Sequence, residues 1–320
     1  MAALAAAGLC LAAPAAWGQS TATQTVDVLN QIWGKYPGMR ANHAKGVVVE
    51  GSFTPAAGAV ALSKASIFAG GAVPVTVRFS DSSGLPTVAD GSGAANPHGM
   101  SIKFHPAGGG TVDLVTNSLQ FFPVANGEDF LALQKAALAS GADAPKPTPV
   151  QQFIASHPAV PAALATISTP TSFARETYYG VDAFIFVNAA GVREPFRWKI
   201  VPAAGAEHLS KEDAAKMPPD FLVDELPQRL AKGPVVFELM AQLAEPGDPT
   251  SDPTKPWPDS RTLADMGTIT LTAAAADNAA AQKALRYLPS VLMPGIEVSD
   301  DPLIDARVRA YVISFGRRAQ

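Results

Sequence analysis

Arg307 and Tyr311 lie four residues apart in a helical stretch near the end of the chain, so their side chains share one helix face. A free phenol titrates near pH ~10, and a guanidinium held against it favours the phenolate by ~1–3 pH units through charge and hydrogen bonding. The pair could thus present an anionic oxygen. His43 offers complementary chemistry, since an imidazole can pass protons near neutral pH. It sits in Met39-Arg40-Ala41-Asn42-His43-Ala44-Lys45-Gly46 and leads into an extended run from Val47 to Phe53. Taken singly, each has an ordinary alternative: a core tyrosine beside a surface arginine, and a surface histidine following an arginine.

Other familiar chemistry is excluded. No H-E-x-x-H and no pair of histidines at i and i+4 occurs, so a zincin-type site is absent. No G-x-S-x-G elbow is found, and Gly108 to Gly110 lacks the Lys-Ser/Thr of a phosphate-binding loop. His105, His157 and His208 stand beside Pro or Leu in loop-like sequence and read as solvated loop residues.

The elements that must carry these groups follow from composition and pattern. With Lys+Arg 24 against Asp+Glu 28, the chain has no basic footprint, and no nucleic-acid partner is expected. Hydrophobic residues make up 48%, enough for a large core. Gly 26 and Pro 28 in 320 residues disfavour a helix bundle and suit strands joined by turns. Extended runs are read at Val47–Val49, Val73–Phe79, Met100–Phe104, Val112–Val115, Ala183–Asn188, Phe196–Val201, Val235–Leu243 and Thr268–Thr272. Helical patterns are read at Thr21–Tyr36, Asp129–Ala139, Val150–Ile154, Lys211–Met217, Pro219–Leu230 and Pro302–Tyr311. The expected fold is α+β, an antiparallel β-barrel with inserted and flanking helices.

Residues 1–18 read as a signal peptide, Met1 to Pro14 being an Ala/Leu run with small residues at Ala16 and Gly18 before Gln19. The run falls short of the ~20 apolar residues needed to span a bilayer, so no stable membrane insertion is expected. Cleavage would remove Cys10, the only cysteine, which suits a periplasmic or secreted protein. Residues 19–320 are then expected to form one domain.

Four segments in series add a resemblance. Arg40-x-x-His43-Ala44-Lys45-Gly46 leading to Gly51-Ser52-Phe53 resembles the distal active-site segment of the haem catalases. Val77-Arg78-Phe79-Ser80 is similar to the family's strand with a haem-contacting Arg and a Ser supporting the catalytic His. Asp113-Leu114-Val115-Thr116-Asn117 with Phe121-Phe122 is similar to the segment with the catalytic Asn. Pro294-Gly295-Ile296-Glu297 followed by Arg307-Val308-Arg309-Ala310-Tyr311 resembles the proximal ligand helix.

The resemblance implies an eight-stranded antiparallel barrel that binds haem b. Tyr311 would be the axial ligand of the ferric iron, a phenolate being the known haem ligand of catalases, with Arg307 beside it. His43 would be the acid/base, Asn117 a hydrogen-bond donor to peroxide, and Ser80 the partner fixing the His43 tautomer. Arg40, Arg78 and Arg318 would meet the haem propionates, and Phe130 would stack near the haem or line its pocket. Hydrogen peroxide, or organic hydroperoxides, and small organic electron donors are the implied partners.

The likeness is closest to the minimal, exported catalase-related peroxidases. Only a short helix precedes Arg40 and nine residues follow Tyr311, so the wrapping segment, the C-terminal helical domain and the NADPH site of larger catalases are not expected. A monomer or small homo-oligomer, with a wide access channel and weak catalase activity, is expected. His98 stands where larger enzymes carry an Arg. Two alternatives remain: a fatty-acid hydroperoxide isomerase of the allene oxide synthase type, and a non-catalytic exported haem-binding protein.

Overall fold

Strands β1 (Gly46–Pro55), β2 (Val73–Ser80), β3 (Gly99–Phe104) and β4 (Val112–Asn117) form an antiparallel meander in the computed structural model, which describes residues 19–318. The segment read as a signal peptide lies outside the described residues. β5 (Thr169–Pro170) pairs apart from the main sheet with β9 (His208–Leu209). The main sheet continues through β6 (Tyr178–Tyr179), β7 (Phe184–Val187), β8 (Arg193–Pro202), β10 (Val235–Leu243) and β11 (Leu263–Ala274), with β12 (Ile296–Val298) added to β7. Pairing of β8 with β10 and of β11 with β1 closes the circuit β1-β2-β3-β4-β6-β8-β10-β11. The result is the expected eight-stranded antiparallel barrel, closed on itself, with β7 and β12 as a branch from β8.

The helices among the described residues are α1 (Thr21–Trp33), α2 (Ala59–Leu62), α3 (Gly127–Leu138), α4 (Pro149–Ser156) and α5 (Ala159–Leu164). After them come α6 (Lys211–Ala214), α7 (Phe221–Leu230), α8 (Asn278–Ala284) and α9 (Pro302–Arg318). No described helix is long and apolar enough to cross a membrane.

Strand periodicity explains why this barrel can carry a site on its outside. In β2, Val75, Val77 and Phe79 point inward, where Phe79 meets Phe173 and Tyr178 at centroid distances of 5.6 and 5.7 Å. Thr76, Arg78 and Ser80 point outward, yet Arg78 and Ser80 are each only 4% exposed. Their face is covered by α1, α3 and α9. Val26 and Leu29 of α1 pack with Ala41, Ala310 and Ile313, which joins the first helix, the His43 segment and the last helix.

A buried clip fixes the chain around His43. Lys45 Nζ pairs with Asp90 Oδ1 and donates to the carbonyls of Val88 (2.8 Å) and Pro219 (2.9 Å). Asp90 Oδ2 accepts from the Leu222 N–H at 2.7 Å, satisfying a free donor at the start of α7. Burial, then the nearby Asp81 charge, raises the Asp90 carboxyl to about 6.

Short elements such as α2, α5, β5, β6, β9 and β12 add to the sequence expectation, and three further differences have a local cause. α9 continues seven residues past Tyr311 to Arg318, which places both on one helix. β11 is longer than Thr268–Thr272 because its alternation breaks around Gly267, where φ is +139 and the register with β10 shifts. α8 is Ala-rich and lacks an amphipathic stripe; its start is marked by Asp277, whose side chain accepts from the Ala280 N–H.

Candidate active site

Register assembles the barrel wall of the site. Ser80 pairs with Gly99, and Gly99 with Asn117, so the three lie in one row across β2, β3 and β4. The next outward row is Arg78, Ser101 and Val115. His43 arrives from the loop before β1 with φ +57, the sole positive φ among the described non-glycine residues. That turn is held by His43 N–H to Ser82 O (3.0 Å) and Ala44 N–H to Ser83 O (2.9 Å). The His43 Nδ1 then lies 3.1 Å from Ser80 Oγ.

Gly99 makes this possible. A Cβ there would fall 2.9 Å from Ser80 Oγ and 3.3 Å from Cε1 and Nδ1 of His43. The ring therefore rests over bare backbone. Burial, and after it the charges of Arg78, Arg40 and Arg307, lower the His43 pKa to about 3. The imidazole is neutral at pH 7, and a proton on Nδ1 directed to Ser80 leaves Nε2 as the acceptor.

Asn117 is oriented just as definitely. Its Oδ1 accepts from the Leu119 N–H at 2.8 Å, which leaves the amide NH₂ as the group available to the cavity.

The helical wall carries the other half. Arg307 Nε donates to the Tyr311 hydroxyl oxygen at 3.2 Å. Arg307 Nη1 pairs with Asp182, which is 1% exposed. Burial alone would lower the Arg307 pKa, but the Asp182 carboxylate and the Tyr311 phenol outweigh it and hold the guanidinium above its ordinary value. Asp301 opens α9, accepting from the Leu303 N–H at 2.9 Å; burial, then Asp182, raises its carboxyl to about 7.

One end of the cavity is cationic. Arg78 is held by Gln282 Oε1 (3.0 and 2.8 Å) and by the His43 carbonyl (2.8 Å). Arg40 donates to the Leu285 carbonyl at 2.8 Å, and Arg318 bonds to the same oxygen. Burial lowers all three, followed by repulsion from neighbouring arginines, which for Arg318 is Arg286; Arg78 and Arg318 fall to about 10. Arg318 Nε is buried without a partner among the described residues.

These groups surround one cavity of about 890 Å³, and every residue expected at the site from sequence lines it: His43, Ser80, Asn117, Arg40, Arg78, Phe130, Arg307, Tyr311 and Arg318. Phe130 comes from α3 and lies 5.9 Å, centroid to centroid, from Phe122. His98 is not there. Strand alternation turns it away from the cavity, where it is fully buried and 3.1 Å from Asp81. The three histidines read as solvated loops have partners instead. His105 lies 3.1 Å from Thr76 Oγ1, His208 lies 3.1 Å from Glu176, and His157 stacks on Phe153 at 3.8 Å.

Sequence reading missed Asp182, Gln282, Gly99 and Tyr287. Asp182 had a signal, since a lone acid within Val181-Asp182-Ala183-Phe184 needs a buried partner. Tyr287, buried beside Arg78 and Arg40, has its phenol pKa raised by burial. The arrangement can hold an apolar ligand that carries carboxylates at one end, offer it a phenol oxygen from α9, and move a proton at His43.

Comparison with known proteins matches the family model described as Catalase over residues 29–318. The chain is 35% identical over 301 residues to a catalase-related peroxidase of Mycolicibacterium paratuberculosis, covering 93% of this chain and 94% of the relative. It is 31% identical over 304 residues to a catalase-related peroxidase of Synechococcus elongatus, covering 94% and 89%. In shape it is similar to a fungal catalase solved by crystallography, with a TM-score of 0.80 at 22% identity, covering 89% of this chain and 60% of that one.

Proposed function

The chain belongs to the catalase family, and we propose that it is an exported haem peroxidase. It reduces hydrogen peroxide or organic hydroperoxides with electrons from small organic donors, has weak catalase activity, and serves in oxidative-stress defence. The observation that carries this reading is the convergence on one cavity of two preset systems, Tyr311 with Arg307 and His43 with Ser80.

The residues present fit haem b. Tyr311 offers a hard oxygen ligand, a ligation known for catalases. The unpaired positive charge of Arg40, Arg78 and Arg318 matches a pair of propionates, and the orphaned Arg318 Nε is one donor such a carboxylate would satisfy. Val26, Leu29, Phe122 and Phe130 supply apolar walls. Bound there, haem supplies ferric iron as the two-electron redox centre.

The chain's own residues do the rest. Arg307 donates to the Tyr311 oxygen and fixes its direction, and Asp182 keeps that guanidinium in place. His43 Nε2 takes a proton from one peroxide oxygen and returns it to the other, which departs as water. Ser80 keeps the ring in the tautomer that can do so. Asn117 donates from its amide to the charge that develops as the O–O bond breaks. Passive haem capture would need Tyr311 and a pocket but not this distal pair.

The test is an absorption spectrum of the purified protein with stopped-flow peroxide mixing. A high-spin ferric, phenolate-ligated haem is expected, abolished in Tyr311→Phe. His43→Ala should keep the haem and lose about 10²–10⁴-fold in peroxide turnover. A protein that refuses haemin, or a His43→Ala variant with wild-type turnover, overturns the reading. Conversion of a lipid hydroperoxide without any donor would instead identify an isomerase.

A further inference from the structure

Charge bookkeeping around the cavity leaves a surplus. Of the arginines that line it, Arg307 pairs with Asp182 and Arg309 with Asp305. Arg40, Arg78, Arg286 and Arg318 make no ion pair among the described residues. The propionates of one haem would neutralise two of these four charges. Three of the four are spoken for by hydrogen bonds to Leu285 O, Gln282 and His43 O.

Arg286 is different. It is exposed, and among the described residues it makes no hydrogen bond; its guanidinium lies 5.1 Å from the centroid of the Phe315 ring. The same ring lies 4.6 Å from the Arg318 guanidinium, so Arg286 stands next to the cationic end of the cavity. The groups facing it do not cancel its charge. Asp113, within electrostatic reach, is engaged by Lys103, while Arg318 repels it. A planar cation with all its donors free, stacked near an aromatic ring at the mouth of a cavity, is suited to hold an oxyanion.

We propose that Arg286 and Phe315 form a docking site for anionic electron donors of the enediolate or aromatic-carboxylate class. The proposal rests on the peroxidase reading and names the donor class for it. Two donor monoanions each give up one electron and one proton and leave as radical anions. One hydrogen peroxide takes both electrons and both protons and becomes two waters. The guanidinium binds the donor's oxyanion at the cavity mouth, close to the buried arginines, and takes no part in the proton transfer at His43.

The experiment compares kcat/KM for ascorbate with that for neutral guaiacol, in wild type, Arg286→Ala, Arg286→Glu and Arg286→Lys. The ascorbate-to-guaiacol ratio should fall about tenfold in Arg286→Ala, further in Arg286→Glu, and recover in Arg286→Lys. Raising ionic strength should lower the wild-type ratio and barely change that of Arg286→Ala. A readout without turnover is the calorimetric binding of benzenesulfonate to the protein as purified, which should weaken at least fivefold in Arg286→Glu. An unchanged ratio, or unchanged sulfonate affinity in Arg286→Glu, overturns the proposal while leaving the peroxidase reading intact. A protein that oxidises neither donor sinks the peroxidase reading, and the sulfonate titration then still decides whether the anion site exists.

Discussion

Arg307 stands between Tyr311 and a fully enclosed acid: one edge of its guanidinium donates to the phenol oxygen at 3.2 Å, and another is paired with Asp182. The acid lies in the turn before β7, more than a hundred residues away in sequence. The barrel thereby sets the position of a group on the last helix.

Removing the Asp182 charge should therefore damage the structure and the ligand-side dyad together. Asp182→Asn leaves the Arg307 charge buried without its counter-ion, and a broken buried pair costs about 3–5 kcal/mol. Urea unfolding should show the loss, and haem retention through gel filtration should drop in parallel. Wild-type stability in this variant would show that Arg307 is satisfied elsewhere.

Gly99 permits no side chain. The added methyl of Gly99→Ala would press on Ser80 Oγ and on the His43 ring, displacing the imidazole rather than unfolding the barrel. A shift of about 1 Å in a reacting group costs on the order of 10²-fold in rate. Peroxide turnover should fall by that order, with a circular dichroism spectrum like that of wild type. Full activity would show that the ring does not depend on this contact.

The pH profile should lack an ordinary histidine titration. With its pKa near 3 in the fold and ~6.5 in the unfolded chain, His43 stays neutral as the pH falls from 7 to 4. Peroxide turnover should be level across pH 5–8 as far as His43 is concerned. Because the unfolded chain takes up the proton first, His43 makes the protein less stable as pH drops from about 6.5 toward 3. A rate limb at pH 6–7 that vanishes in His43→Ala would contradict this.

Asp301 gives the opposite slope. Its folded pKa of about 7 lies above the ordinary carboxyl value, so in the window from about 4 to 7 the folded state holds a proton that the unfolded chain has released. Its contribution to stability declines as pH rises through that window and is gone above it. Asp301→Asn keeps an oxygen for the Leu303 N–H and cannot ionise. Its urea midpoint should exceed that of wild type at pH 8 and match it near pH 4. Equal midpoints at both pH values would count against a protonated Asp301.

The strands were legible as β-branched and aromatic runs between turn residues, whereas Arg78, Ser80 and Asn117 were singled out only through the resemblance to the catalases. Alternation in Val73–Phe79 and Val112–Val115 shows which residues share a face, and the four-residue spacing of Arg307 and Tyr311 makes them neighbours on a helix. What stayed hidden depends on contacts across long stretches of chain. Asp182 reaches Arg307 and Gln282 reaches Arg78 only once the barrel closes. Gly99 reads as one more turn-former until His43 is seen resting on it. His98 looked like a replacement for a ligand-facing arginine, but neighbouring strand residues face opposite sides, and the cavity side belongs to Gly99.

The placement of Ser80, Gly99 and Asn117 on consecutive strands has an evolutionary corollary. Adding or deleting one residue inside β2, β3 or β4 would exchange apolar lining for reactive groups in a single step. The loops that join these strands are free of that restriction. Homologues should therefore vary in length between the strands while keeping the strands themselves at constant length, and changes of specificity should arise at the mouth of the cavity rather than on its floor.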